Sequence, residues 1–314
     1  MLELYKQNSI TVIENLKDFI TVVFVIIDDI YKYITPAHIK NRRNVKTSIM
    51  SDSEIISISL VGELMSIDSE KSWVSYCKNN LKDLFPRFCN RTRFNRTRRA
   101  LMRVTESIRH TLTTILGYNE DLFRVVDSMP IYACKFGRSH FHKTFRCYAS
   151  YGRCASKKET YYGFKLHSLI SIDGYITDFT LTSANIDDRE GLWELTNKTF
   201  SLTIIGDKGY IGNYLSLELK KERDINLISM KRSNSKIQLH KSVRRLIFKK
   251  RRLTETVNSQ LSDQLNISKV LAKSRWGLIT RIETKILAHN ICFFINKLLR
   301  KSIDVLKIKE LIFG

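Results

Sequence analysis

Three acidic residues, Asp127, Asp207 and Glu255, have the residue types and the placement that metal-assisted chemistry requires. Asp127 follows the apolar run 122–126, and Asp207 follows the run 202–205, so we expect both at the ends of buried strands. Glu255 lies in a later helical segment. The separations are 207 − 127 = 80 and 255 − 207 = 48 residues, so only folding can bring the three carboxylates together.

Phosphoryl transfer is the chemistry that such a triad fits. Two Mg²⁺ ions about 3.5–4 Å apart clamp the attacking and leaving oxygens of an in-line displacement. Mg²⁺ takes oxygen ligands and is usually held by few carboxylates together with substrate phosphates. We therefore predict a site that binds two Mg²⁺ ions, with Mn²⁺ as a substitute, through Asp127, Asp207 and Glu255.

Each carboxylate also has a simpler interpretation. Residues 127–130 are turn-like because they end in proline, and residues 207–210 could form a plain strand-to-loop turn. Glu255 could be a surface residue that pairs with Arg251 one helical turn earlier. It points away from the expected buried row that includes Leu253, toward the place where a ligand facing the sheet edge would lie.

The charge of the chain predicts a polyanionic partner. Its 314 residues include 53 Lys and Arg against 31 acidic residues, a formal net charge of +22. Nucleic acid is the partner favoured by such an excess, because an anionic membrane would need a basic amphipathic anchor and none stands out. The apolar run 20–27 is shorter than the roughly 20 residues of a membrane span. We expect a cytoplasmic, nucleoid-associated protein with six reduced cysteines.

The first 118 residues are predicted to be helical and to bind DNA. Ser51 and Glu54 have capping-box spacing, and a second helix should run from about Trp73 until Phe85 and Pro86 stop it. A third helix begins near Asn90 and is rich in arginine, so helix, turn and basic helix indicate a DNA-docking module. Alternatively, this is the solvated face of a helical bundle. The candidate DNA contacts are Arg93, Arg96 and Arg99.

Residues 119–314 are predicted to form an α/β domain. A strand at 122–126 is followed by a hairpin around Asp173 and Gly174, a helix after Asp187 and Asp188, and strands at 202–205 and 225–230. Helices follow at about 243–265 and 278–301. This order predicts an RNase H-like mixed sheet flanked by helices and preceded by an all-helical region.

A basic insertion at 231–252 precedes the helix that carries Glu255. It contains ten Lys or Arg and no acidic residue. We favour a track for DNA over a merely solvated face. The residues of this track chosen as DNA contacts are Arg244, Arg245, Lys249 and Lys250.

A zinc site is disfavoured, although Cys134, His140, His142, Cys147 and Cys154 lie close in sequence. Their spacing contains no pair of cysteines separated by two residues, as zinc sites commonly have. Asp187 and Asp188 are best explained as N-terminal caps of a helix.

Five motifs in this order resemble the DDE transposases of bacterial insertion sequences, in the group with a Tyr–Arg–Glu–Lys signature. The motifs are residues 125–130 (VVDSMP), 162–167 (YGFKLH), 184–188 (ANIDD), 206–210 (GDKGY) and 251–255 (RRLTE). The resemblance covers about residues 50–300 and implies an RNase H-like core, Mg²⁺ dependence and the metal-binding roles of Asp127, Asp207 and Glu255. The signature departs at Phe248, where tyrosine is usual, and at Ser262, where lysine is usual.

The resemblance implies a transposase that cuts the ends of its element and transfers the 3′-hydroxyl into target DNA. Its partners would be double-stranded DNA, both terminal inverted repeats and target, and further copies of the chain. Within the motifs, the candidate DNA contacts are Lys165, His167, Lys208, Tyr210 and Arg251. Two alternatives stay open: an RNase H-like nuclease without strand transfer, and a non-catalytic DNA-binding protein that is indifferent to magnesium.

Overall fold

The computed structural model describes residues 13–154, 157–230 and 240–299. The chain divides into two compact units. The helical unit contains 1–116, 263–267 and 271–314, and the sheet unit contains 117–262 and 268–270. The sequence-based division at 118–119 lies two residues from the first boundary, but the last helix belongs to the helical unit.

Residues 13–154, 157–230 and 240–299 form ten α-helices and six strands. The helices are α1 (Leu16–Ile34), α2 (Ala37–Lys40), α3 (Asp52–Leu64), α4 (Glu70–Asn80), α5 (Arg91–Ala100), α6 (Met102–Ile115), α7 (Asp188–Leu195), α8 (Asn213–Arg223), α9 (Lys241–Ser259) and α10 (Arg275–Leu298). The strands are β1 (Phe123–Cys134), β2 (Ser150–Cys154), β3 (Glu159–Ile170), β4 (Ile176–Ser183), β5 (Thr203–Gly206) and β6 (Asn226–Ser229).

The helical unit is built around α3 and α10, which are buried on nearly all sides. α10 packs on α3 and α6, which explains why it joins this unit. The predicted capping box is confirmed, since the Ser51 hydroxyl accepts from the Glu54 N–H and the Glu54 carboxylate accepts from the Ser51 N–H. The run 20–27 lies within α1, whose apolar face is buried. No helix in the described part of the chain is long and apolar enough to cross a membrane.

The helix boundaries near the basic helix agree only in part with the sequence analysis. α5 begins after the N-cap Asn90, as predicted. α4 ends at Asn80, earlier than the predicted stop at Phe85 and Pro86. Asn79 and Asn80 are poor helix formers, and the chain then turns to bury Leu81. All six cysteines are free thiols, as expected.

The sheet unit has the predicted RNase H-like arrangement. β1 is central, with β3 antiparallel on one side and β5 parallel on the other, and β6 continues the parallel part. β2 and β4 pair with different parts of β3. The hairpin at Asp173 and Gly174 is confirmed, and Gly174 has a φ of 106°, which favours glycine.

β1 is longer than the sequence indicates. It does not end at Asp127 but continues through Pro130 to Cys134, so the turn-like interpretation of residues 127–130 is wrong. Proline is tolerated because β5 pairs with β1 only at Phe123 to Val125, which leaves that edge of the strand open beyond. β2, which the sequence analysis does not predict, pairs with the first half of β3.

A buried ionic network holds the helical unit together. Glu63 on α3 is 3% exposed, and its carboxylate lies 3.0 Å from the Arg281 guanidinium and 2.5 Å from Lys285 Nζ. Burial alone would raise the pKa of Glu63, but the charges of Lys285 and Arg281 outweigh it and lower the pKa to about 2. The network therefore keeps three charges paired inside a mostly apolar core.

We predict that Glu63→Gln lowers the free energy of unfolding by about 3–5 kcal/mol, because it leaves the buried Arg281 and Lys285 only the more distant carboxylate of Asp68, at 3.7 and 3.8 Å. The pKa of Glu63 is below its ordinary value, so this contribution is complete at neutral pH and is lost as the pH falls toward 2. Urea unfolding followed by circular dichroism measures the change.

Glu106→Gln is the matched control, since Glu106 pairs with the exposed Arg103 at 2.9 Å and should contribute less than about 1 kcal/mol. Equal effects of the two substitutions would contradict the importance of the network.

Candidate active site

The register of two parallel strands places Asp127 beside Asp207. Phe123 pairs with Thr203 and Val125 with Ile205, an offset of 80 positions. Asp127 and Asp207 are also 80 positions apart, so they continue this register two residues beyond the last pair. Side chains alternate along a strand, so both aspartates share the face of Val125 and Ile205. The structure thus brings two of the three predicted carboxylates together.

Helix α9 covers this face. Ile247 packs with Val125 and Ile205 in one apolar cluster. Further along α9, Asn258 Nδ2 donates to Asp127 Oδ2 at 2.9 Å, and the Thr254 side chain also contacts the Asp127 carboxylate. The Ser128 N–H donates to Asp127 Oδ1 at 2.9 Å. The aspartate is therefore held from both its own strand and the helix.

The environment of Asp127 disfavours its charged form. Burial raises its pKa to about 6, and the neighbouring charge of Asp207 contributes in the same direction. The Ser128 N–H and the charge of Arg251 act against this rise. Two close, half-buried carboxylates form a site of negative potential, which a cation would relieve.

Glu255 lies on the right helix, but its side chain does not face the aspartates. The side chain is 66% exposed, and its carboxylate lies 3.8 Å from Arg251. Thr254 and Asn258, one residue before and three after, occupy the face of α9 that contacts Asp127. The position of Glu255 matches the simpler surface interpretation, and its catalytic role stays a prediction.

The residues around Asp127 fit a divalent cation that takes oxygen ligands. The Asn258 Oδ1 atom is buried and has no hydrogen-bond partner within the described residues. Carboxylate and amide oxygens are the ligands that Mg²⁺ accepts, often with only one or two carboxylates from the protein. The described parts of the chain contain no group of three or more acidic, histidine or cysteine side chains placed to hold a metal. Asp127, Asp207 and Asn258 are therefore the ligand candidates that the geometry offers.

The opposite face of β1 carries a second polar cluster. Ser128 points away from Asp127, and its hydroxyl donates to Asp188 Oδ1 at 2.9 Å. Lys165 Nζ donates to the same oxygen at 3.1 Å and to the Ile186 carbonyl at 2.8 Å. Asp188 thus ties the strand residue next to Asp127 to β3 and to the start of α7.

Asp188 is a residue whose role the sequence analysis misses. The N-terminal cap of α7 is Asp187 alone, since its carboxylate accepts from the Arg189 N–H at 2.9 Å. A helix start has one N-cap, so of two successive aspartates the second is free for another contact. The second of two adjacent aspartates is thus the signal in the sequence, and it does not identify Ser128 or Lys165 as the partners of Asp188.

His167 and Tyr210 lie in the interior, contrary to their prediction as DNA contacts. His167 is fully buried, and its Nε2 lies 2.9 Å from the Thr182 hydroxyl. Burial lowers the pKa of His167 to about 4, so the ring is neutral at physiological pH. Tyr210 is only 1% exposed. Because both side chains are buried, neither can contact DNA in this structure.

The other predicted DNA contacts are more accessible. Lys208 follows Asp207 directly and is exposed, whereas Lys165 is largely buried against Asp188. Lys250 donates to the Ile172 carbonyl at 2.8 Å, and the partly buried Arg251 places its Nη1 atom 3.6 Å from Met230 Sδ. Among the cations of α9 and α5 that were predicted to contact DNA, Arg244, Arg245, Lys249, Arg93 and Arg96 are exposed, while Arg99 is half-buried. Residues 231–239 of the predicted basic track lie outside the described residues.

A family comparison identifies the class of protein that carries this site. The transposase DDE domain family matches residues 118–303, which is 303 − 118 + 1 = 186 of the 314 residues. The chain therefore belongs to the transposase DDE domain family, and such a domain implies DNA as its partner. Neither the curated proteins nor the solved structures compared with the chain include a match.

The packing of α7 on β3 predicts the effect of one small substitution. A Cβ at Gly191 would lie 2.3–2.5 Å from the ring atoms of the buried His167. Gly191→Ala should displace α7, and with it Asp188, and lower the free energy of unfolding by about 1–3 kcal/mol. Thermal and urea unfolding of the variant measure this change.

Gly137→Ala is the control, because nothing lies within 4 Å of a Cβ at Gly137. If the two variants unfold at the same temperature and urea concentration, α7 does not pack against His167.

Proposed function

We propose that the protein is the transposase of an insertion sequence, which cuts the ends of its element in a Mg²⁺-dependent reaction and joins the 3′-hydroxyl to target DNA. The observation that carries this proposal is the pairing of Asp127 with Asp207 on one face of an RNase H-like sheet. Membership of the family supports transposase activity in general. The two aspartates identify the position in the fold at which we propose that DNA is cut and joined.

Asp127 and Asp207 are the proposed ligands of the metal. When bound, the divalent ions would activate the attacking oxygen and neutralise charge on the scissile phosphate. The Asn258 amide and the Ser128 N–H fix the orientation of the Asp127 carboxylate, each at 2.9 Å. On the other face, the Asp188 carboxylate accepts from the Ser128 hydroxyl at 2.9 Å and so holds the residue next to Asp127 in place.

Glu255 completes the proposed site by a movement of its side chain. Its pair with Arg251 is long, at 3.8 Å, and solvent-exposed, so breaking it costs less than about 1 kcal/mol. We propose that DNA phosphates attract Arg251 and free Glu255 to turn toward the aspartates. The same step would bring the basic face of α9 against the DNA backbone.

DNA binding is assigned to two surfaces. The exposed cations of α9 would follow the phosphate backbone without regard to sequence. The arginine-rich helix α5 would bind the terminal inverted repeats. The chain would act as a homo-oligomer that holds both ends and the target.

A strand-transfer assay tests the proposal. Labelled element ends and a plasmid target are incubated with the full chain in Mg²⁺, Mn²⁺ or EDTA. We expect nicked ends and joined products with either metal and neither in EDTA. Cleavage without joining would identify a nuclease instead, and DNA binding that is indifferent to the metal would identify a non-catalytic DNA-binding protein.

In this assay, Asp127→Asn, Asp207→Asn and Glu255→Gln should each abolish cleavage while DNA affinity changes little. Each substitution preserves volume and removes one metal-binding charge. Asn258→Ala should reduce cleavage less, by about 10–100-fold, as expected for a partner of a ligating carboxylate.

The control is Glu222→Gln, which removes an exposed carboxylate on α8. This variant should cleave DNA at the wild-type rate. Wild-type cleavage by Glu255→Gln alone would assign Glu255 to the surface pair with Arg251. Wild-type cleavage by either aspartate variant would refute the proposed site.

The basic face of α9 generates a further prediction. Replacing Arg244, Arg245, Lys249 and Lys250 together by alanine should weaken binding to any duplex. Each phosphate contact contributes a slope of about −0.9 in log K against log salt, so the slope should flatten by up to about four units. Titrations on end and random duplexes from low to moderate salt measure it. A loss confined to the end sequence would indicate base reading, and an unchanged slope would indicate a solvated face.

A further inference from the structure

The helical unit contains a cavity of about 560 Å³ beside the arginine-rich helix α5. Its walls come from α5, from the segment that begins α4 and from the segment that begins α10. Basic side chains dominate the lining. Five of them are Lys71, Arg91, Arg96, Arg99 and Lys273.

These five cations lack acidic partners within the described residues. The acids near the cavity are already paired, since Glu63 and Asp68 bind Arg281, and Glu70 lies 3.4 Å from Arg98. These acids and their cationic partners therefore nearly cancel in charge. The five other cations give the cavity a positive potential. Four of the five side chains, all except Arg99, are exposed to solvent.

Two buried donors in the cavity wall have no acceptor. The Nε atoms of Arg98 and Arg99 are both buried without a hydrogen-bond partner in the described part of the chain. A buried unsatisfied donor costs about 1–3 kcal/mol, and more when it is charged. An anionic ligand in the cavity would satisfy the donors that face it.

The start of α10 adds to the positive potential. Ser274 and Gly277 line the cavity, and the Ser274 hydroxyl accepts from the Gly277 N–H at 3.1 Å. The N-terminus of this helix of 24 residues therefore borders the same space. Helix N-termini attract anions because their N–H groups and dipole point toward them.

We infer that this cavity binds the phosphodiester backbone of one DNA strand, with Arg96 and Arg99 as its principal contacts. The inference rests on the proposed function, in which DNA is the substrate. A single phosphate group carries at most about two charges, which would leave most of the five cations unpaired. Several cations around one open space match a DNA strand, in which each successive phosphate carries one negative charge.

The inference also separates the arginines of α5 by role. Arg96 and Arg99 line the cavity and contact backbone phosphates. Arg93 is exposed and does not line the cavity, so it is the arginine of the three left for reading bases. Arg98 holds the buried acids and is structural.

The test is a salt titration of DNA binding in EDTA, which does not depend on catalysis. Arg96→Gln with Arg99→Gln should weaken binding to end and random duplexes alike and flatten the salt slope by about two units. The charge-matched control is Lys82→Gln with Arg87→Gln, two exposed cations of the same unit outside the cavity, which should leave the slope unchanged. Urea unfolding verifies that each variant folds. If the arginine variant does not fold, Lys71→Gln with Lys273→Gln tests the rim of the same cavity.

The outcomes distinguish this inference from the proposed function. A wild-type slope in the folded cavity variant, or a loss confined to the end sequence, overturns the inference. A third outcome also overturns the inference. In it, inorganic pyrophosphate stabilises the wild type but not the cavity variant, and the variant binds DNA as the wild type does, because the cavity then binds a small anion and not DNA. If the cavity variant has a flatter salt slope of DNA binding and the wild-type chain neither cuts nor joins DNA, the result supports DNA binding in the cavity and refutes the catalytic proposal. A wild-type chain that does not bind DNA refutes both.

Discussion

The parallel pairing of β1 with β5 is the interaction on which the site depends. It holds two carboxylates side by side against their mutual repulsion, and backbone hydrogen bonds such as Thr203 N–H to the Leu122 carbonyl at 2.8 Å maintain it. A slip of one residue would turn Asp207 to the opposite face. Apolar clusters on both faces of the sheet prevent this slip, with Val125 and Ile205 in one and Val126 and Ile204 in the other.

Both faces of β1 contribute contacts that position the site. Asp127 faces α9, where Asn258 orients it, and Ser128 faces α7, where Asp188 holds it. Beneath α7, the neutral His167 packs directly against Gly191. The strand is thus supported from both sides at the residue that would carry the metal, which suits a site that must keep its geometry while DNA is exchanged.

The sequence predicts the order of the elements and the two aspartates because these depend on local patterns. Apolar runs of four or five residues identify the strand that carries Asp127 and the strand that ends just before Asp207. The length of β1, the partners of Asp188 and the contact from Asn258 depend on pairing between distant segments, which no local pattern records. Similarly, helical periodicity places Glu255 away from the core, but it does not distinguish a catalytic glutamate from one that pairs with Arg251.

The most direct test of the account is the binding of Mn²⁺ to the full chain, followed by electron paramagnetic resonance in the presence of an uncleavable end duplex. The account predicts bound Mn²⁺ in the wild type and in Glu222→Gln, and loss of this signal in both Asp127→Asn and Asp207→Asn. Undiminished Mn²⁺ binding in the two aspartate variants would contradict the claim that the paired strands β1 and β5 build the metal site.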